Sequence, residues 1–123
     1  LEELDMCAEQ GISVVIGAPY ASGILARGPG PGALYRYAPA APEIIAKAQR
    51  IAGVCQRHDV PLAAAALQFP LAHRSVVSVI PGPVAAEEVR QNLAWMRHDI
   101  PEALWVELRD HGLIRADAPT PRL

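Results

Sequence analysis

The sequence predicts an α/β fold with parallel strands, and three observations carry that prediction. Ile12 to Ile16 and Val76 to Ile80 are short, almost wholly apolar runs rich in β-branched residues. Such runs suit strands of a parallel sheet covered on both faces. Between and after them lie stretches whose apolar residues repeat every three to four positions, the spacing of amphipathic helices. Strands alternating with helices point to parallel pairing. Two strands make a poor sheet by themselves, so both are expected to need neighbours outside this chain. The chain opens on Leu1 inside a helical pattern, and it reads as a piece of something longer.

The bulk composition fits one globular domain. The chain has 123 residues, 51% of them hydrophobic, which is enough for a real core. Net charge is -2 with no basic run, so nothing favours nucleic acid or an anionic membrane as partner. The apolar blocks are too short to span a membrane, and no signal peptide is visible. Cys7 and Cys55 read as free thiols of a reducing, cytoplasmic protein.

Taken in order, Leu1, Leu4 and Ala8 share one helical face. Gly11 is placed to stop that helix in a left-handed conformation, with Ile12 behind it. The first strand follows, ended by Gly17-Ala18-Pro19. Residues 20 to 41 read as a long connection with little regular structure, punctuated by Gly28-Pro29-Gly30-Pro31-Gly32. That run is no phosphate-binding loop: it lacks a Gly-Lys-Ser/Thr ending, and its prolines remove N–H donors.

Pro42 suits the first position of a helix whose stripe is Ile44, Ala48, Ile51 and Cys55. Pro61 opens a second helix, Leu62 to about Ala72, which Pro70 should kink or end. After the second strand, a helix from Ala86 to about Met96 is expected to bury Val89, Leu93 and Met96. Asp99-Ile100-Pro101-Glu102 reads as cap and first turn of a last helix with Leu104, Trp105 and Leu108 inward. Gly112 repeats the stop seen at Gly11. The tail, from Ala116 and through residues 120–123, is expected to fray.

The chemistry candidates cluster behind the two strands. After Ile80-Pro81-Gly82-Pro83, the N–H groups of Val84, Ala85 and Ala86 can lie free at a helix start and face an anion. Gly82 lets a ligand approach the backbone closely. Glu88, Gln91 and Asn92 lie on the first turns of that helix, where amides can read a base edge. The exit of the first strand, Gly17 to Leu25, offers the Ser22 hydroxyl and the Gly23 N–H, with Tyr20 as a pocket wall. No catalytic set stands out. Cys55 and His58 share a helical spacing but lack the further ligands of a metal site, and no metal is expected. His73, His98 and His111 are placed to meet terminal helix carbonyls.

Val14-Val15-Ile16-Gly17-Ala18-Pro19-Tyr20-Ala21-Ser22-Gly23-Ile24-Leu25, with Leu62 to Leu71, Val79-Ile80-Pro81-Gly82 and Glu87-Glu88-Val89-Arg90-Gln91-Asn92, resembles the C-terminal part of an aldo-keto reductase. The bacterial sugar-dehydrogenase branch is the nearest in flavour. The resemblance covers residues 1–119, leaving 120–123 as tail. It implies the last two strand–helix units of a (β/α)8 TIM barrel, whose active sites lie at the C-terminal ends of the strands.

It further implies hydride transfer between a nicotinamide dinucleotide and an aldose or other carbonyl or alcohol. Pro19, Ser22, Gly23 and Leu25 would lie beside the pyrophosphate, and Ile80, Pro81, Gly82 and Val84 beside the adenosine. Glu88, Gln91 and Asn92 would surround ribose and adenine. Tyr20, Tyr35 and Tyr37 would border the substrate. Members that use NADPH carry a lysine after Ile-Pro and an arginine at the place of Glu88. Here Gly82 and Glu88 stand instead, and a carboxylate repels a 2′-phosphate while accepting a ribose hydroxyl. NAD is therefore expected over NADP.

The family's catalytic Asp, Tyr, Lys and His belong to the first half of the barrel, so this chain is expected to hold no catalytic residue and to need that N-terminal half. The competing readings are a non-catalytic half-barrel that serves as a binding or assembly module, and an unrelated α/β phosphate-binding domain.

Overall fold

The computed structural model describes residues 1–121. Helix α1 (Glu2–Glu9) leads to strand β1 (Val14–Gly17). A 3-10 turn (Ala21–Gly23) and the one-turn helix α2 (Ile24–Arg27) follow. A small hairpin comes next, β2 (Leu34–Tyr35) and β3 (Ala38–Pro39), and then α3 (Pro42–Arg57) and α4 (Leu62–Gln68). A second 3-10 turn (Phe69–Ala72) precedes β4 (Val76–Ile80), and α5 (Ala86–Met96) and α6 (Glu102–Asp110) complete the order.

β1 and β4 pair in parallel, with Ile16 opposite Val79 and Gly17 opposite Ile80. The result is a two-stranded parallel sheet with surrounding helices, the architecture expected of two strand–helix units.

Local chemistry explains most boundaries. Gly11 takes a φ of 69°, and the N–H of Ile12 reaches back to the Cys7 carbonyl at 2.7 Å. Gly112 (φ 63°) does the same for α6, with Leu113 N–H on the Leu108 carbonyl at 2.8 Å. Both are the expected left-handed helix stops. A third stop of this kind is built on Asp59 (φ 55°), with Val60 N–H on the Cys55 carbonyl at 2.9 Å. The sequence does not announce it, because an aspartate stands where glycine is usual. Pro70 ends α4 as expected by forcing the chain into a 3-10 turn.

The core sits among α3, α4 and α6, to one side of the sheet. Val54 and Cys55 from α3, Ala64 and Ala65 from α4, and Leu104, Trp105 and Leu108 from α6 pack together. Val60, Ile100 and Leu113 seal the ends. Trp105 stacks on Phe69 with ring centroids 5.7 Å apart. Each such side chain contributes about 1.5–3 kcal/mol on burial.

Several expectations are corrected. The strands are covered on one face only: Ile16 and Val79 are half-buried, whereas Val15 is 51% exposed and Ile80 58%. Helix α5 leaves Val89 (45%) and Leu93 (52%) exposed, because the face it turns to the molecule is the one bearing Asn92, Trp95 and Met96. Apolar character at these positions says that a neighbour suits them, not that this chain contains it.

Asp99 caps nothing, since α6 starts after Pro101 with no side-chain cap. The long connection holds more structure than foreseen. The β2–β3 hairpin turns through Arg36 (φ 52°) and Tyr37 (φ 62°), both left-handed as a type I′ turn demands. The tail is docked as far as it is described: Ala118 is buried, and Arg109 donates to the Ala118 carbonyl at 3.1 Å and to Thr120 Oγ1 at 2.8 Å. Residues 122 and 123 of the expected frayed tail lie outside the described residues.

Candidate functional site: a cleft at the strand ends

Because β1 and β4 run parallel, their C-terminal ends emerge side by side. The ladder continues one step beyond β1, with Ala18 N–H on the Ile80 carbonyl at 3.2 Å. The two turns that the sequence singles out are thereby held together, and a cleft of about 520 Å³ opens between them. Its size falls within the usual range for small-molecule sites.

Ser22, Gly23, Ile80, Pro81, Gly82, Glu88, Gln91 and Asn92 all line it, and so do Tyr20 and Tyr37. Pro19, Leu25, Val84 and Tyr35 do not. Val84 is almost fully exposed, and Tyr35 flanks the hairpin turn with the Arg36 guanidinium over its ring, 5.6 Å from the centroid.

The β1 wall is a strained loop. Ala18 (φ 51°), Ala21 (φ 48°) and Ser22 (φ 62°) are all left-handed without being glycine. Each costs about 1–2 kcal/mol, and such residues gather at ligand sites. Short hydrogen-bonded turns hold them: Ala21 N–H to the Ala18 carbonyl at 3.0 Å, and Gly23 N–H to the Tyr20 carbonyl at 2.9 Å. Ser22 Oγ accepts the Tyr37 N–H at 3.1 Å, which fastens the hairpin tip to this loop. The Ser22 O–H is left to donate.

The α5 wall is a helical stripe. Glu88, Gln91, Asn92 and Trp95 follow at i, i+3, i+4 and i+7 and face one way. Tyr20 joins the walls: its hydroxyl donates to Asn92 Oδ1 at 2.6 Å, and its ring meets Trp95 edge-on at 5.9 Å. Burial pushes the Tyr20 phenol up to about 12, so it stays a donor at neutral pH. With its oxygen held, Asn92 turns its amide N–H groups to the remaining space.

The turn between β4 and α5 differs from expectation in one respect. The Val84 N–H is not free for an anion, because it donates to Glu88 Oε2 at 2.7 Å. Glu88 thus folds back over its own helix start and is fixed there, with Oε1 available. Gly82 takes a φ of 68°, a conformation that favours glycine, although a Cβ there would meet nothing within 4 Å.

Ala18, Ala26, Arg27, Leu34, Pro83 and Trp95 also line the cleft without being singled out as site residues by the sequence, and two of them bear on its chemistry. Trp95 was legible as the next position of the Glu88–Gln91–Asn92 stripe, although its apolar bulk suggests mere packing. Arg27, at the end of α2, had no signal beyond its nearness to Gly23. Among the described residues, Arg27 and Glu88 are the only charged ones that line the cleft.

Other clusters do other work. Cys55 is sealed in the core while His58 bonds Glu107 at 2.6 Å, so the two share no site. His73 meets no helix carbonyl through its ring. Its nitrogens pair with Ser75 Oγ at 2.9 Å and Asp5 Oδ1 at 3.2 Å, tying α1 to the opposite end of β4. Among the described residues, no three His, Cys, Asp or Glu side chains gather as a metal site, and no helix is long and apolar enough to cross a membrane. A second groove, about 690 Å³, runs under the tail. Its Gln68 amide is engaged by the carbonyls of Trp95 and His98, and its Arg109 by the tail.

Residues 2–112 match the family model described as the aldo/keto reductase family. The chain is 42% identical over 113 residues to pyridoxal 4-dehydrogenase of Microbacterium luteolum, covering 92% of this chain and 33% of that protein. It is 39% identical over 121 residues to D-threo-aldose 1-dehydrogenase of Pseudomonas sp, covering 98% of this chain and 36% of that one. The chain therefore spans about a third of the length of these curated relatives.

Proposed function

This chain belongs to the aldo/keto reductase family, and on that premise we propose that its cleft binds a nicotinamide dinucleotide, NAD in preference to NADP. The protein that carries it is an oxidoreductase moving a hydride between the nicotinamide and an aldose or another carbonyl or alcohol. One observation carries the reading: eight residues that follow two strands distant in sequence, from the turns and from α5, line a single cleft at the C-terminal ends of those parallel strands. Cofactors of strand–helix barrels bind at that end.

The residues present fit such a cofactor. The Asn92 and Gln91 amides and the Ser22 hydroxyl supply donors for ribose, base and phosphate oxygens, and Trp95 and Tyr20 supply flat apolar walls. Glu88 Oε1 can accept a ribose hydroxyl, while its negative charge opposes a 2′-phosphate. The dinucleotide supplies the hydride chemistry; this chain binds and orients it. Tyr37, at the hairpin tip, borders the cleft and is placed to meet the substrate.

No general acid or base for hydride transfer is assigned here. Tyr20 is bonded to Asn92, and Lys47 lies exposed on α3 and does not line the cleft. The acid–base groups belong to the rest of the barrel, in the N-terminal part, which also covers Val15, Val77 and Ile80. The free thiols of Cys7 and Cys55 support a reducing, cytoplasmic location for the protein.

The test is turnover of aldoses with NAD and with NADP by the complete protein. A higher kcat/KM with NAD is expected, and a strong NADP preference would refute the role of Glu88. The 123-residue chain alone is expected to bind without turning over.

A further inference from the structure

We infer that Arg27 is the residue that grips the diphosphate of the dinucleotide, an inference that rests on the reading of the cleft given above. A diphosphate carries two negative charges into whatever holds it. Among the described residues, Arg27 is the only cation lining the cleft. Among the described residues its guanidinium makes no salt bridge and no side-chain hydrogen bond, unlike Arg50, Arg57, Arg90, Arg109 and Arg115. A free planar fork of N–H donors matches two phosphate oxygens at once.

Its position is set by the backbone. Gly23, at φ 94°, starts the single turn of α2, and Arg27 follows four residues later on the same face. The Arg27 side chain lies back over Gly23: a Cβ at residue 23 would stand 4.0 Å from both its Cδ and its Nε. The guanidinium therefore shares the β1 wall with Ser22 and Gly23. Glu88, the one carboxylate of the cleft among the described residues, stands on the α5 wall and is fixed to the Val84 N–H. The two charges divide the cleft into a phosphate side and a ribose side, which sets the direction in which the dinucleotide lies. Arg27 is exposed and unpaired, so removing its charge leaves the fold intact.

The experiment titrates the complete protein with NAD and NADP, followed by tryptophan fluorescence, since Trp95 forms part of the wall. Arg27→Gln keeps much of the stem and loses the charge. It is expected to weaken dinucleotide binding about 30-fold, the worth of a charge-assisted hydrogen-bonded contact. It should also flatten the dependence of binding on salt. Arg27→Lys, a point charge without the fork, is expected to recover part of the loss. Adenosine, which carries no phosphate, is expected to compete equally well in the wild type and in Arg27→Gln.

Unchanged dinucleotide affinity in Arg27→Gln overturns the role of Arg27 and leaves the cleft assignment standing. A parallel loss of adenosine binding also overturns it, since Arg27 would then shape the cleft rather than hold phosphate. A wild-type protein that binds neither NAD nor NADP overturns the cleft assignment and Arg27 with it.

Discussion

Replacing Tyr20 by phenylalanine should uncouple the two walls of the cleft. The change removes one hydroxyl, whose 2.6 Å bond to Asn92 Oδ1 joins residues 72 positions apart. The edge-on contact with Trp95 survives, because phenylalanine keeps the ring. A net hydrogen bond is worth about 0.5–1.5 kcal/mol. Both partners are half-buried, so water can reach the abandoned amide oxygen and no full desolvation penalty arises. The expected loss of stability is therefore about 1 kcal/mol.

A second effect falls on binding. Once released, the Asn92 amide can rotate and must be ordered again by the ligand, which is expected to raise the Kd for NAD about threefold. Urea denaturation of wild type, Tyr20→Phe, Asn92→Ala and the double variant gives the coupling free energy directly. A value of about 1 kcal/mol is expected. Additive single effects, with no coupling, would show that the bond contributes nothing and that the walls are held by packing alone.

Three other perturbations bear on the frame. Asp59→Gly should stabilise the protein by about 0.5–1 kcal/mol, since glycine takes the left-handed stop after α3 without the strain of a Cβ; a lower urea midpoint would contradict this. Stability should fall as pH rises from about 9 to 12. Burial pushes the Cys55 thiol from 9.0 up to about 11 and the Tyr20 phenol from 10.0 up to about 12, so the unfolded chain loses these protons first. Cys55→Ala should flatten the lower part of that window, and an unchanged profile would refute the assignment. On the acid side, hydrogen bonds from Arg57 and His58 hold the Glu107 carboxyl below its ordinary 4.5. The stability it contributes is present above that pH and fades below it, and Glu107→Gln should remove the dependence.

The parts of the molecule that were legible in the sequence are those where a residue type admits one conformation. Gly11 and Gly112 announce helix stops, Pro42 a helix start and Pro70 a helix end. The Leu104, Trp105 and Leu108 stripe announces the core face of α6. Legibility ends where a residue does something its type permits but does not demand. Asp59, Ala18, Ala21, Arg36 and Tyr37 are left-handed because hydrogen bonds around them insist, and composition carries no trace of that.

In the site, Glu88, Gln91 and Asn92 could be found by helical spacing, and Trp95 extends the same stripe. Arg27 could not be found, because its place depends on the turn at Gly23. The exposed Val15, Val89 and Leu93 show another limit. Apolarity predicts that a side chain wants cover; it does not say which chain provides it.

The cleft depends on register as much as on its residues. Side chains alternate along a strand, so a one-residue slip of β1 against β4 would turn Ile16 outward and Val15 inward. It would also break the Ala18 N–H bond to Ile80 that holds the two exits together. The irregularity between Val14 and Val15 lies upstream of that contact, so the pairing is regular where it reaches the cleft: Val15 with Ser78, Ile16 with Val79, Gly17 with Ile80. From there the constraint passes outward through the backbone. The ladder positions Ala18, the turns fix Ala21 and Ser22, Tyr20 reaches across to Asn92, and Ser22 holds the hairpin tip at Tyr37. Each link is short and mostly backbone, so the strained wall is held in place before any ligand arrives, and binding energy need not be used to form it.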